Sequence, residues 1–230
     1  MPGERLTRIL AGLAADDRGR TARGLCEVAT DVLAVSGAGV MLMAGDEARG
    51  SVCNTNAVSA AIEELQYVLG EGPCVDAYQQ DRAVLEPDLA DPRTPRWLAF
   101  TPKALEAGAR AVFGFPLRVG AVRLGALNVY QDRSGPLSDE QHADALVMAE
   151  VVAHWLLDVQ AEARPGALAE ELELGAEFYF VVQNAAGVVS VQLGVTVTEA
   201  MIALRAHAFS TDRPLRDVAR DVVERKLRFG

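Results

Sequence analysis

The apolar positions of the first 69 residues follow helical and extended spacings in turn. Residues 4–36 predict two helices, whose apolar stripes are separated by a polar break at 16–19. Short apolar runs at 39–44 and 51–54 predict two buried strands. The apolar residues of 57–69 return to helical spacing, which predicts a further helix.

The pattern then becomes irregular before strands return. Residues 70–95 are rich in Gly, Pro and Asp, which predicts a long loop, and such loops inside compact domains are usually functional. Residues 112–115 and 121–130 are rich in Val, Phe and Tyr and predict two strands. Ser138 and Gln141 have the spacing of a helix capping box, and an amphipathic helix is predicted to follow them.

Three helices are predicted near the C-terminus. The first covers 177–192, and a T-x-x-E capping box at Thr196 opens the second. The third begins at Pro214, which suits a first helical turn because proline has no N–H to leave unpaired. A bundle of about 50 residues has a small core and marginal stability. Phe180 and Val191 are predicted to project from its outer side, which predicts a homodimer.

These elements predict two domains of different architecture. Residues 1–162 form an α+β domain with an antiparallel sheet and flanking helices, 163–176 form a linker, and 177–230 form a three-helix bundle. The formal charge of −10 excludes a protein-wide basic surface for nucleic acid. That charge is uneven, since 1–182 hold 15 basic and 27 acidic residues, a net of −12, whereas 183–230 hold 7 and 5, a net of +2.

The sequence carries few signals of catalysis. Cys26, Cys53 and Cys74 are widely spaced and lack a C-x-x-C motif, which predicts reduced thiols. The three histidines lack the spacing of metal ligands, and no phosphate-binding glycine motif or serine nucleophile motif occurs. We therefore expect no enzyme activity, no catalytic residue, no cofactor and no metal site. With no signal peptide and no long apolar segment, the protein is expected to be cytoplasmic and not to enter a membrane.

The N-terminal region resembles GAF domains. The resemblance rests on the order of the elements, on the turn GEGPC at 70–74 after a helix, and on the strand run FPLRVGAVRLGALNVY. It covers roughly residues 20–160 and looks like the variant that bacteria fuse to an ANTAR domain. The resemblance implies a signal sensor with an unidentified small ligand.

The C-terminal region resembles ANTAR domains over nearly all of 181–229. The resemblance rests first on the string QNAAGVVSVQLGV at 183–195. Further matches are Glu199-Ala200, Leu204-Arg205, Ala208-Phe209, Arg213-Pro214-Leu215 and Asp217-Val218-Ala219. Members of this family bind paired short stem-loops in nascent transcripts and so prevent a terminator hairpin from forming. The resemblance therefore implies an antiterminator whose partner is RNA. Many members carry Lys, Arg or Thr at the position of Ala186, so a contact made by that side chain is absent here.

Six residues are the candidates for RNA contact: Gln183, Ala186, Gly187, Ser190, Arg216 and Arg220. The Gln and Ser side chains of the first helix can hydrogen-bond exposed base edges, and the small residues at 186 and 187 let an RNA loop approach the backbone. The two arginines lie four apart on one flank of the third helix and are expected to contact phosphates. These candidates also have a second interpretation. Gly187 is then explained by close helix packing, and the other candidates form an ordinary solvated surface.

Two further functions remain open from the sequence. Some GAF domains reduce free methionine sulfoxide with cysteines, and Cys53 and Cys74 are the candidate pair for that chemistry, although their spacing does not match a defined motif. Three short helices also imitate a helix-turn-helix, which would make the protein a DNA-binding repressor. The antiterminator, the reductase and the repressor differ in their binding partner and therefore in a simple assay.

Overall fold

The structure, a computed structural model, describes residues 2–44, 47–91, 96–162 and 170–230. The chain divides into two compact parts, Met1–Gly175 and Ala176–Gly230, which we call the N-terminal unit and the C-terminal unit. In the described part of the chain, no single helix is both long and apolar enough to cross a membrane. Phe180–Leu193 and Val197–Ser210, bent by 104° at the break between them, reach that length and composition only as a pair.

The N-terminal unit is built on an antiparallel sheet. Strands β1 to β5 are Gly37–Ala44, Glu47–Asn54, Val84–Glu86, Ala111–Val119 and Val122–Gln131. They are ordered β2-β1-β5-β4-β3, and each neighbouring pair is antiparallel. The α+β class expected from the sequence, with an antiparallel sheet and flanking helices, is confirmed for this unit.

Helices cover both faces of the sheet. Helices α1 to α6 are Pro2–Ala14, Ala22–Leu33, Ala57–Leu69, Pro73–Gln80, Phe100–Ala107 and Asp139–Glu162, and a 3₁₀ turn, Ala15–Arg20, joins the first two. On one face α2 and α6 pack against alternate strand residues, with Leu25, Phe113 and Met148 fully or almost fully buried. α3, α4 and α5 lie on the other face, where Ile62 and Val112 belong to a second apolar cluster. Side chains alternate between the two faces along each strand, so the sheet separates the two apolar cores.

The segment 70–95, predicted as a long loop, contains regular structure. α4 begins at Pro73, and β3 pairs with β4. Gly72 has φ 130°, which glycine tolerates, and proline suits a first helical position because its missing N–H leaves no unpaired donor. The Gly-Pro pair therefore starts a short helix here. Residues 92–95 of the predicted loop lie outside the described residues.

The cysteines correct the prediction of reduced thiols. Cys26 of α2 and Cys53 of β2 form a disulfide, with their Cα atoms 6.2 Å apart, and Cys74 is a buried free cysteine. The bonded pair is 27 residues apart in sequence, and packing of α2 against β2 brings the two sulfurs together. Spacing along the chain carries no information about this proximity. Cys53 is therefore bonded to Cys26 and not to Cys74, its candidate partner for methionine sulfoxide reduction.

The described residues of the C-terminal unit form helices α7, α8 and α9. These are Glu170–Leu193, Val197–Ser210 and Leu215–Val223, so α7 starts before the predicted position 177 and Pro214 is the N-cap of α9. Residues 170–176 of the predicted linker are helical, and 163–169 lie outside the described residues. The capping box of α8 is confirmed, because the Thr196 side chain accepts the N–H of Glu199 and the Glu199 carboxylate accepts the N–H of Thr196. The fully buried residues of these helices include Val182, Ala185, Val189, Leu204, Val218, Ala219 and Val222.

Candidate functional site

A row of small and polar residues crosses the middle of the sheet. Gly39 on β1 is the register partner of Asn128 on β5, and Asn128 is in turn the partner of Gly114 on β4. Strand alternation places all three on the face that α3 and α4 cover, opposite Leu127 and Phe113. The central strands therefore present one amide side chain between two positions without side chains.

The two glycines allow helices to approach the sheet closely. A Cβ atom at Gly39 would lie 2.9 Å from Cδ of Glu63, which is on α3. A Cβ atom at Gly114 would overlap the backbone carbonyl of Pro73, at the start of α4. A larger residue at 114 would push α4 away from the sheet, and a larger residue at 39 would displace the Glu63 carboxyl group.

Glu63 is buried in the space above Asn128. Its residue surface is 1% exposed, and its Oε1 atom accepts a hydrogen bond of 3.2 Å from Nδ2 of Asn128. Nearby on α3, Oε1 of Gln66 accepts the backbone N–H of Cys74 at 2.7 Å. The second polar atom of each of these three side chains has no hydrogen-bond partner among the described residues. These atoms are Glu63 Oε2, Asn128 Oδ1 and Gln66 Nε2. An unpaired buried polar atom costs about 1–3 kcal/mol, so a cluster of such atoms is unusual in a protein interior.

Burial controls the protonation of the cluster. It raises the pKa of Glu63 from the ordinary 4.5 to about 8, against the opposing hydrogen bonds from Asn128 and Ser51. Glu63 is therefore mostly a neutral carboxylic acid at pH 7, and it offers both a donor and an acceptor. Burial, with a smaller contribution from Glu63, also raises the pKa of Cys74 well above its usual value. The Cys74 thiolate is correspondingly disfavoured, which argues against nucleophilic chemistry at this residue.

The segments that flank the cluster are held by charged side chains. Oε1 of Glu71 accepts two backbone N–H groups at the start of α5, at 2.7 and 2.8 Å. Oδ2 of Asp76 accepts hydrogen bonds from Arg96 and from Nε1 of Trp97, at 3.1 and 3.2 Å. These contacts join the turn after α3 and helix α4 to the chain that enters α5. These contacts hold in place the helices that cover the cluster.

The buried groups around Glu63 are suited to hydrogen bonding. A neutral carboxylic acid, two amide side chains and a protonated thiol provide hydrogen bonds without a strong nucleophile. Within the described residues, no group of three His, Cys, Asp or Glu side chains could hold a metal ion. We therefore assign the Glu63, Gln66 and Asn128 side chains, which we call the buried polar cluster, as the candidate ligand site of the N-terminal unit.

Sequence reasoning missed the buried polar cluster. The helix was predicted from the spacing of four apolar residues, Ile62, Leu65, Val68 and Leu69. Of these Ile62 is fully buried and the other three are partly buried, whereas the polar Glu63 and Gln66 face the sheet. The signal was present as two polar residues three apart, on the side of the helix that also carries Ile62. Hydrophobic periodicity does not detect it, because this periodicity assigns polar residues to the surface.

The candidate RNA residues of α7 are placed differently from one another. Ala186 is fully buried, which corrects the expectation that it faces an RNA loop. The hydroxyl of Ser190 donates to the carbonyl of Val195 at 2.6 Å, so it already has a partner. Gln183 is half-buried, and a Cβ added at Gly187 would meet no described atom within 4 Å. Open space rather than close helix packing therefore surrounds Gly187.

The two candidate arginines of α9 lie on the surface. Arg216 and Arg220 are both exposed, as expected from the helical wheel. Nη1 of Arg220 is 3.5 Å from Oδ1 of Asp217, so the predicted separation of basic and acidic flanks is incomplete. An exposed pair of this kind is worth only about 0–1 kcal/mol, and Arg220 can exchange Asp217 for a phosphate at little cost.

Gly114→Ala is expected to destabilise the N-terminal unit by about 1–3 kcal/mol, because its new methyl group overlaps the fixed backbone of Pro73. The matched control is Gly3→Ala on α1, where a Cβ meets no described atom within 4 Å and the helix gains stability. Urea unfolding of both variants measures the difference. Equal midpoints for the two variants would contradict the close approach of α4 to the sheet.

Comparison with known proteins agrees with this architecture. The family model for the GAF domain matches residues 15–153, which is more than half of the chain. The fold is similar to the GAF domain of a phosphoenolpyruvate-protein phosphotransferase from Coxiella burnetii, at 15% identity over 70% of this chain and 95% of that chain, with a TM-score of 0.52. The corresponding domain from Acinetobacter has 14% identity over 70% and 96%, and the same TM-score. No curated protein matches the chain significantly. On the family match, this chain belongs to the GAF domain family, a signal-sensing fold.

Proposed function

We propose that this protein is a signal-responsive transcription regulator that binds stem-loop RNA in nascent transcripts and prevents termination. The observation that carries the proposal is the C-terminal unit, where the ANTAR-like string at 183–195 lies on α7 and two exposed arginines lie on α9. Open space at Gly187 on α7 suits an RNA loop, and the exposed arginines of α9 suit its phosphates. Binding to nascent transcripts places the protein in the cytoplasm.

The buried polar cluster supports the sensing part of the proposal. A small polar ligand that pairs Glu63 Oε2, Asn128 Oδ1 and Gln66 Nε2 would satisfy three buried atoms at once. A Cβ atom at 39 or 114 would already collide with Glu63 or Pro73, so a ligand that enters between these layers must displace α3 or α4. A ligand of this site is therefore the proposed input signal, since it shifts the equilibrium between two helix positions.

Dimerisation is the second part of the mechanism. Phe180 and Val191 on α7 are 65% and 85% exposed in one copy of the chain. Apolar side chains of this size are stabilised when a second copy covers them. A homodimer carries two RNA surfaces, which matches a partner made of paired stem-loops. Light scattering at tens of micromolar is expected to give twice the mass of one chain, and a monomer with and without RNA would contradict this part.

The test of RNA binding is a titration of the full chain with paired hairpin RNA and with duplex DNA. Arg216 and Arg220 contact about four phosphates in a dimer, so these two residues are expected to contribute about −3 to the slope of log K against log salt. Arg216→Glu with Arg220→Glu is expected to lower the affinity at least about tenfold, because both charge contacts become repulsive. The helix content stays unchanged, since both positions are exposed.

Arg133→Glu is the matched control for this titration. Arg133 is exposed on the N-terminal unit and is expected to leave the affinity for hairpin RNA unchanged. If the protein binds duplex DNA more tightly than hairpin RNA, the antiterminator proposal is wrong and a DNA-binding repressor is the better interpretation. A double arginine variant with wild-type affinity and slope would show that the RNA surface lies elsewhere on the molecule.

A further inference from the structure

The cations at the end of the chain fall into two groups. Arg213, Arg220 and Lys226 each form an ion pair with an acidic residue, at 2.6, 3.5 and 2.6 Å respectively. Arg216, Arg225 and Arg228 are exposed, and within the described residues none of the three has an ion-pair partner. Two full positive charges are therefore available to a ligand just beyond α9.

The backbone at Arg225 has a conformation that favours glycine. Its φ is 59°, in the left-handed region, and it follows Glu224, the C-cap of α9. The N–H groups of Lys226 and Leu227 both donate to the carbonyl of Asp221, at 2.7 and 3.0 Å, which closes the helix end. Glycine is the usual residue at such a helix end. A residue held in an unfavourable backbone region is a pointer to function.

Residues 224–230, which we call the C-terminal hook, are fastened to the other two helices of the unit. The N–H of Phe229 donates to Oε1 of Gln192 on α7 at 2.9 Å. The Phe229 ring meets the His207 ring of α8 edge-on, with centroids 5.3 Å apart. The backbone that carries Arg225 and Arg228 is therefore fixed before any ligand binds, so binding requires little ordering of the chain.

We infer that the C-terminal hook is a second phosphate-binding element of the RNA surface, with Arg225 and Arg228 contacting the RNA backbone. This inference rests on the proposed function. Guanidinium groups form paired hydrogen bonds with phosphate, and two on a fixed turn bind neighbouring phosphates at a lower entropic cost than a flexible tail. The hook adds to the contacts of Arg216 and Arg220 and does not depend on the sequence of the RNA.

The test is Arg225→Gly in the full chain, with Arg228→Gln as the second variant. Glycine removes the charge but suits the left-handed backbone, so the melting temperature is expected to stay equal or rise. Hairpin RNA affinity is expected to fall several-fold for each variant, and the salt slope becomes shallower by about 1.4 for the two arginines lost per dimer. Lys226→Gln is the control, because Lys226 is held by Glu224 at 2.6 Å, more closely than Arg220 by Asp217 at 3.5 Å, and a smaller loss is expected.

The outcomes separate this inference from the proposed function. If the wild-type protein binds hairpin RNA and both variants bind it with the same affinity and slope, the hook is not part of the RNA surface and the proposed function stands. Loss of stability in Arg225→Gly would show that Arg225 supports the fold, and Arg228→Gln then decides the inference. If the wild-type protein does not bind hairpin RNA, both the proposed function and the inference are wrong.

Discussion

Glu63→Gln is expected to stabilise the N-terminal unit at pH 8 and to flatten the pH dependence of its unfolding. The folded pKa of Glu63 is about 8, above the ordinary value of 4.5 that applies to the unfolded chain. Between these values the unfolded chain releases a proton that the folded protein retains, so stability falls as pH rises from 4.5 to 8. The total loss is up to about 5 kcal/mol.

Glutamine keeps the acceptor for Asn128 and never ionises, so it removes this loss. The measurement is the free energy of unfolding in urea at several pH values across that window. Glu106→Gln, an exposed position on α5, is the matched control and is expected to keep the wild-type pH dependence. Parallel pH profiles for the wild type and Glu63→Gln would show that Glu63 does not retain a proton in the folded protein.

Reduction of the Cys26–Cys53 disulfide is expected to cost about 3.5 kcal/mol of stability, from the loop entropy of its 27-residue separation. The disulfide restricts the unfolded chain, so its loss favours unfolding. The urea midpoint of the wild type should fall on addition of a thiol reductant. A variant with both Cys26→Ser and Cys53→Ser should show a low midpoint that the reductant does not change.

Cys74→Ala is the control for the disulfide experiment. Cys74 is a free cysteine, so this variant keeps the disulfide and should respond to the reductant as the wild type does. Equal midpoints for the wild type with and without reductant would show that the two sulfurs are not bonded in solution.

Local signals in the sequence predicted much of the secondary structure. The helix expected at 57–69 has those bounds in α3, and the capping boxes at Ser138 and Thr196 are formed. These features depend on residues within one turn of each other, so the sequence contains all the information they need. The buried stripe of α9, which includes Val218 and Val222, followed from helical spacing for the same reason.

The site depended on contacts between distant parts of the chain. Glu63 lies against Gly39 and Asn128, which are 24 positions before it and 65 after it, and only the order of the strands in the sheet brings the three together.

The same holds for the disulfide, and for Arg225, whose backbone conformation follows from how the C-terminal hook packs. The sequence by itself determined where the capped helices α6 and α8 begin and where α3 lies, because those signals are local. Only the tertiary structure decided which polar groups are buried and which cysteines are bonded, because those properties depend on which elements pack together.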